Sequence, residues 1–397
     1  MSRVDNHKPR SAGPDRPAII GGAPVFAEPL EFNRPTLPAY ESLSDDIRSI
    51  LESGQLTNGR YVARLERQAA AHFGRPAVAL ANCTSGLILA AKLLGLTGQV
   101  IVPSFTFFAT CHALIWNGLE PLFVDIDRET WNIDPSAVAE AVNPGVSAVM
   151  AVDIFGNPSN KDALSEIADR HGLKLLTDAA HSLGAFYRGR PVGGFGDAEV
   201  FSLSPTKLVT GCEGGLVAVD DEALAQELRI ARDYGNPGDY NCRTVGLNAR
   251  MTEINALIAA AGMDALADNV EARNRLARAY RQNLAGIPGL TWQRVAPEDK
   301  STYKDISVLI EPGEFGVSRD TVREALAAEN IPTRAYYDPP AHEQTAYKGK
   351  FSISGELAVT KEVSANILSL PVWSHMTEAE VDKVCAAITR IAKAGLT

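Results

Sequence analysis

The amino-acid sequence predicts an α/β protein: a large domain on a mainly parallel sheet, followed by a smaller α+β domain. Three observations lead there. From about residue 39, apolar residues alternate between helical and strand spacing, the pattern of parallel strands joined by crossover helices. After Asp178 the strands shorten and the rhythm changes, and beyond the turn cluster Gly286-Ile287-Pro288-Gly289 strand and helix patterns no longer repeat regularly. The 397 residues suit about two to three domains and a sizeable core.

The elements follow in order. The polar start, MSRVDNHKPRSAGPDRP, lacks the apolar centre of a signal peptide and reads as a disordered leader over 1–17. Leu43, Ile47, Ile50 and Leu51 share one helical face that Gly54 can end, and Val62, Leu65, Ala69 and Phe73 mark a second helix. Strand-like runs then occur at 77–81, 100–102, 122–124, 148–152 and 173–177, with shorter ones at 200–203 and 215–219. Helical patterns cover 222–234 and an Ala-rich stretch at 252–284 that admits a break. Residues 306–310 read as a strand, and 319–329 and 378–393 as helices. The expected division is a large domain over 18–265 and a small one over 266–397.

Several function classes are excluded. Lys and Arg total 38 against 48 Asp and Glu, a net charge of −10, which opposes a nucleic-acid-binding surface but leaves room for a small anion in one local pocket. No apolar stretch reaches membrane-spanning length, so the expectation is a cytoplasmic protein with no membrane partner. Five cysteines without a Cys-x-x-Cys pair suggest buried, reduced thiols, and seven histidines without ligand spacing suggest no metal. Neither Gly-x-Gly-x-x-Gly after the first strand nor a P-loop is present.

Three places carry chemistry. Asn82-Cys83-Thr84-Ser85-Gly86 leads from the first sheet strand into an apolar helix, where backbone N–H groups and the helix dipole can hold a phosphate; an ordinary N-cap uses the same residues. Leu175-Leu176-Thr177-Asp178 delivers a carboxylate to the C-terminal end of a strand, the edge at which open α/β sheets bind ligands, although turn acids are also common there. Phe201-Ser202-Leu203-Ser204-Pro205-Thr206-Lys207 ends on a lone lysine that is either an amine nucleophile with a depressed pKa or a solvated charge. Together they match the three anchors of pyridoxal phosphate: a phosphate cradle, an acid for the ring nitrogen and an amine for the aldehyde.

From about Gly54 onward the chain resembles the DegT/StrS family of sugar-nucleotide aminotransferases, on the fold type I scaffold of PLP-dependent transferases. The blocks that carry the resemblance include Gly59-Arg60-Tyr61-Val62, Pro103-Ser104-Phe105-Thr106-Phe107, Asp178-Ala179-Ala180-His181-Ser182, Gly196-Asp197-Ala198-Glu199-Val200-Phe201-Ser202, Glu213-Gly214-Gly215 and Gly246-x-Asn248-x-Arg250-Met251. The resemblance implies that Lys207 forms the internal aldimine, that Asp178 pairs with the pyridinium nitrogen, and that Phe107 stacks on the ring. It implies further that His181 approaches the 3-oxygen side and that Thr84, Ser85 and Ser202 bind the phosphate. Asn248 matches a residue that reaches the phosphate of a neighbouring subunit, implying a homodimer with shared sites. Arg250 is a candidate for the donor carboxylate or nucleotide phosphates. Cys83 stands where the family commonly has glycine, and Ser204 where histidine or tyrosine is frequent.

Within the family, Thr84-Ser85-Gly86-Leu87 and Thr333-Arg334-Ala335-Tyr336-Tyr337 with His342 are similar to 4-aminotransferases acting on dTDP-4-keto-6-deoxyglucose, as in deoxysugar biosynthesis. The resemblance therefore implies a transfer of the amino group of L-glutamate to a nucleotide-linked keto sugar, through pyridoxamine phosphate, with Tyr336, Tyr337 and His342 as candidates to line the sugar pocket. Another keto-sugar or keto-cyclitol, or a non-catalytic PLP-binding regulatory role, are the alternatives.

Overall fold

The computed structural model describes residues 16–396; most of the expected leader, residues 1–15, lies outside the described residues. The helices are α1 (Ser44–Ser53), α2 (Arg60–Phe73), α3 (Cys83–Leu93), α4 (Phe108–Trp116), α5 (Pro135–Ala141), α6 (Lys161–His171), α7 (Glu222–Ala231), α8 (Glu253–Asp264), α9 (Leu266–Asn283), α10 (Pro312–Phe315), α11 (Arg319–Ala328), α12 (Ala358–Asn366) and α13 (Glu378–Ala394). The strands are β1 (Ala77–Leu80), β2 (Gln99–Pro103), β3 (Glu120–Val124), β4 (Val146–Val152), β5 (Lys174–Asp178), the short hairpin β6 (Phe186–Tyr187) and β7 (Arg190–Pro191), β8 (Ala198–Ser202), β9 (Gly215–Val219), β10 (Leu290–Trp292), β11 (Ile306–Ile310) and β12 (Ile367–Leu370). The helical stretch expected over 252–284 breaks at Ala265.

A seven-stranded sheet in the order β1-β9-β8-β5-β4-β2-β3 forms the large layer, and only β9 runs against the rest. Both faces of the sheet are covered, and successive side chains of a strand point to opposite faces. Val78 and Leu80 of β1, with Val217 and Val219 of β9, pack toward α3 and α7. Their neighbours Ala77, Ala79, Leu216 and Ala218 pack toward α2 and α8. A second, antiparallel sheet, β10-β11-β12, packs with α9, α11 and α13.

Leu266 and Val270 of α9 belong to the large layer's core, whereas its later residues, from Leu276, belong to the small one. Residues 18–30, expected to open the large domain, pack on the small one instead. Their backbone N–H groups at Ala18 and Val25 donate to the Glu329 carboxylate at 2.8 and 2.9 Å, and Val25, Phe26 and Leu30 lie against its core. Leu51 also departs from expectation: it is 61% exposed while Ile50 is buried, because adjacent helical residues point about 100° apart and α1 buries one narrow stripe. Of the cysteines, Cys111 and Cys385 are buried, Cys83 is half-buried, and Cys212 and Cys242 are exposed, so the expectation of buried thiols holds only in part. No described helix is long and apolar enough to cross a membrane.

The strand ends are held by a wholly buried ionic cluster. Lys161, at the start of α6, donates to Asp153 at 3.1 Å, to Glu199 at 2.9 Å and to the Thr177 hydroxyl at 3.2 Å, linking the end of β4 to β5 and β8. Burial opposes its charge, but the two carboxylates outweigh burial and hold the ammonium above its ordinary pKa. Asp153 also accepts from Ser159 and from the Ser182 hydroxyl, and Glu199 from the N–H groups of Gly193 and Phe195. Removing one charge from such a cluster leaves others buried without compensation. Lys161→Met is therefore expected to destabilise the fold by about 3–5 kcal/mol, seen as a lower denaturant midpoint; an unchanged midpoint would contradict the role of the cluster.

Candidate active site

Parallel strands place their C-terminal ends on one edge, and the loops leaving β1, β2, β4, β5 and β8 converge there. They surround a cavity of ≈340 Å³ that Lys304, Tyr336 and Tyr337 close from the small domain. Of the residues singled out in the sequence, Thr84, Phe107, Asp178, His181, Ser202, Lys207 and Tyr336 line it.

Asp178 ends β5, flanked in register by Val152 of β4 and Val200 of β8. Its carboxylate is 6% exposed and accepts from the Thr110 hydroxyl at 2.7 Å and the Ala180 N–H at 3.1 Å. Burial raises its pKa above the ordinary carboxylate value; the two hydrogen bonds and the charge of Lys207 oppose that rise. A cationic ring nitrogen is the partner that such an acid lacks.

Lys207 leaves β8 on the Ser204-Pro205-Thr206 turn, its N–H bonded to Ser204 O at 3.0 Å. Burial, reinforced by the charge of Lys304, lowers its pKa from 10.5 to about 8, against the pull of Asp305, Cys83 and Asp178. His181 accepts a hydrogen bond at Nδ1 from the Phe155 N–H at 3.2 Å, and its ring stacks on Phe155. Burial, then Lys207 and Lys304, push its pKa well below 6.5. The imidazole is thus neutral, and the bond at Nδ1 assigns its proton to Nε2.

The phosphate end is the start of α3. Cys83 and Thr84 open the helix, where backbone N–H groups have no intrahelical acceptor. Ser85, expected as a ligand, is not part of the lining. Its N–H donates to Asn82 Oδ1 and its hydroxyl to Asn82 O, both at 2.8 Å, so it serves the N-cap. Gly215 on β9 has the backbone of Asn82 and Cys83 against it: an added Cβ would sit 2.6–2.7 Å away. Only glycine lets the turn lie this close to the sheet. Ser202 adds a buried hydroxyl and Phe107 an exposed ring. An acid at one end, helix N–H groups and hydroxyls at another, an amine and a flat aromatic wall fit pyridoxal phosphate.

His342 was expected in the sugar pocket and is not there. It is buried, with Nδ1 2.6 Å from the Ser104 hydroxyl just after β2, and its neighbour Ala341 packs in the large layer's core. Arg250 also lies outside this cavity, paired with Asp233 at 2.8 Å, and Asn248 is outside it on the surface. Sequence reasoning missed Asp153, Thr110 and Lys304. Asp153 had a signal, since it is the carboxylate that directly follows β4; Lys304 had none within its polar run Thr302-Tyr303-Lys304-Asp305.

A lysine becomes nucleophilic as it loses its proton. In the cofactor-free protein, modification of Lys207 by an amine-specific reagent, followed by peptide mass spectrometry, is expected to rise with pH through a midpoint near 8; a midpoint above 10 would contradict the lowered pKa.

Comparison with known proteins agrees with this geometry. The profile of the DegT/DnrJ/EryC1/StrS aminotransferase family matches residues 39–389. The fold is similar to that of DesI, solved in the presence of its TDP-sugar product, with 39% identity, a TM-score of 0.89 and coverage of 95% of this chain and 96% of that one. It is also similar to DesV of S. venezuelae, solved with a ketimine intermediate, at 32% identity, TM-score 0.83 and coverage of 90% and 99%. An aminotransferase from Brucella abortus matches at 30% identity and TM-score 0.83, covering 88% of this chain and 95% of that one. The chain belongs to the DegT/DnrJ/EryC1/StrS family of PLP-dependent sugar aminotransferases.

Proposed function

We propose that this aminotransferase moves the amino group of L-glutamate to the 4-keto carbon of a nucleotide-linked 6-deoxyhexose, dTDP-4-keto-6-deoxyglucose. The observation that carries the transfer chemistry is the pairing of Lys207 and Asp178 in one cavity: an amine with a pKa of about 8 and a desolvated acid. The choice of sugar is supported by the similarity to DesI, whose structure was solved with its TDP-sugar product.

Bound pyridoxal phosphate supplies an aldehyde that takes up an amine and a ring that accepts electron density from the donor's α-carbon. The chain's own residues do the rest. With the cofactor held there, the Nζ of Lys207, unprotonated in part near neutral pH, would take the proton from the donor's α-carbon and hand it on as a general base and acid. Asp178, as the carboxylate, would pair with a protonated ring nitrogen, whose positive charge would compensate the burial of the acid. His181, fixed by the Phe155 N–H, would present its Nε2 proton to the cofactor's 3-oxygen. Phe107 would cover one ring face, while Thr84 and Ser202 would take the phosphate. With the keto sugar in the same cavity, Lys207 works in reverse, and one site serving both substrates in turn predicts ping-pong kinetics.

The reading includes a homodimer. Asn248 is exposed and lies outside this chain's own cavity, and it would complete the phosphate site of a second copy.

Incubation with pyridoxal phosphate, L-glutamate and dTDP-4-keto-6-deoxyglucose, followed by mass spectrometry, is expected to yield the amino sugar with the native protein. Lys207→Ala should lose the product by a factor of at least about 10²–10⁴. Undiminished turnover by the variant would overturn the mechanism. An amino sugar formed only from a different keto substrate would overturn the choice of sugar.

A further inference from the structure

Among the described residues, the cavity lining holds two side-chain cations, Lys207 and Lys304. Lys207 cannot serve as a standing positive charge, because it must be unprotonated to react. Yet an amino-acid donor brings a carboxylate into the same space, and a carboxylate that enters a largely buried cavity without a partner is costly.

Lys304 is built for that partner. It lies in the segment preceding β11 and is 5% exposed. Its backbone is fixed at both ends of the residue: its N–H donates to Phe155 O at 3.0 Å, and its carbonyl accepts from Arg273 Nη1 at 3.3 Å. The ammonium donates to both oxygens of Asp305, at 2.9 and 3.0 Å, and stands 5.7 Å from the centre of the Tyr336 ring. Asp305 is 2% exposed and takes no part in the lining. The pair is therefore a dipole with its positive end in the cavity wall. Asp305 holds the charge in place without a ligand, and an ammonium has three protons, of which Asp305 takes two.

We propose that Lys304 binds the carboxylate of the amino donor, through the ammonium proton that Asp305 leaves free. The inference rests on the aminotransferase reading above and deepens it by naming the donor's anchor on this chain. It gives the small domain a direct part in recognition and makes Lys304 a specificity-determining residue: an amine without a carboxylate forfeits this contact. Arg250, the sequence-based candidate for the role, is committed to Asp233 outside the cavity.

The test uses the PLP-loaded protein and two variants. Lys304→Arg keeps the cation. Lys304→Met combined with Asp305→Asn removes both charges, so that no buried carboxylate is left unpaired. The L-glutamate concentration that half-converts the cofactor to its pyridoxamine form, read by absorbance, is expected to rise about 10- to 100-fold in the double variant, the range of one lost charge-assisted hydrogen bond. Lys304→Arg should recover part of the loss. Calorimetry with glutarate, which has the carboxylates but no amine to react, should show the same weakening, while binding of dTDP is unchanged. An unchanged glutamate requirement in the double variant overturns the proposal. So does weakened dTDP binding with glutarate unaffected, which would assign Lys304 to the nucleotide phosphates. If the native protein does not convert its cofactor with glutamate at all, the choice of donor fails instead, and glutarate binding still decides whether Lys304 holds a carboxylate.

Discussion

The burial of the Asp178 carboxylate at the end of β5 is the constraint on which the site depends. A carboxylate withdrawn from water is expensive unless hydrogen bonds or a cation compensate it. Here Thr110 and Ala180 supply two hydrogen bonds, and the cation is left to a ligand. The same desolvation that raises Asp178 also lowers Lys207 and His181. One property of the cavity, its exclusion of water, thus tunes an acid, an amine and an imidazole together.

Holding those groups in register is the task of the buried layer beneath. Lys161 joins β4, β5 and β8 through Asp153, Thr177 and Glu199, and Asp153 reaches on to Ser182 in the turn that carries His181. Asp153 also donates its backbone N–H to the Asp178 carbonyl at 3.2 Å. The small domain closes the other side: Thr302 bonds the His181 carbonyl at 2.6 Å, and Lys304 bonds the Phe155 carbonyl. The catalytic turn is therefore gripped from both layers. That explains why a chain of two layers is needed for a cavity whose reactive groups come mostly from one.

What the sequence made legible follows from locality. Strand-end positions such as Asp178, the helix start at Thr84 and the turn to Lys207 are encoded by contiguous patterns, and the parallel sheet brings them together without further information. Lys304, Thr110 and His342 are set by contacts between segments far apart in the chain, 238 residues for His342 and Ser104, which no local pattern reports. His342 and Tyr336 are equally plausible pocket residues by composition; packing sends one beneath the β2 edge and the other into the cavity wall. Ser85 illustrates a finer ambiguity, because capping and phosphate binding draw on the same residue types, and only the geometry of Asn82 separates them.

The most direct test of the central claim is the protonation state of the cofactor's ring nitrogen, read from the ¹⁵N chemical shift of labelled pyridoxal phosphate bound to the protein. If Asp178 does what its burial implies, the nitrogen is protonated in the native protein at pH 8 and loses that proton in Asp178→Asn with the cofactor still bound. The same shift in both proteins would contradict the account, and the buried carboxylate would then be a structural acid unconnected with the chemistry.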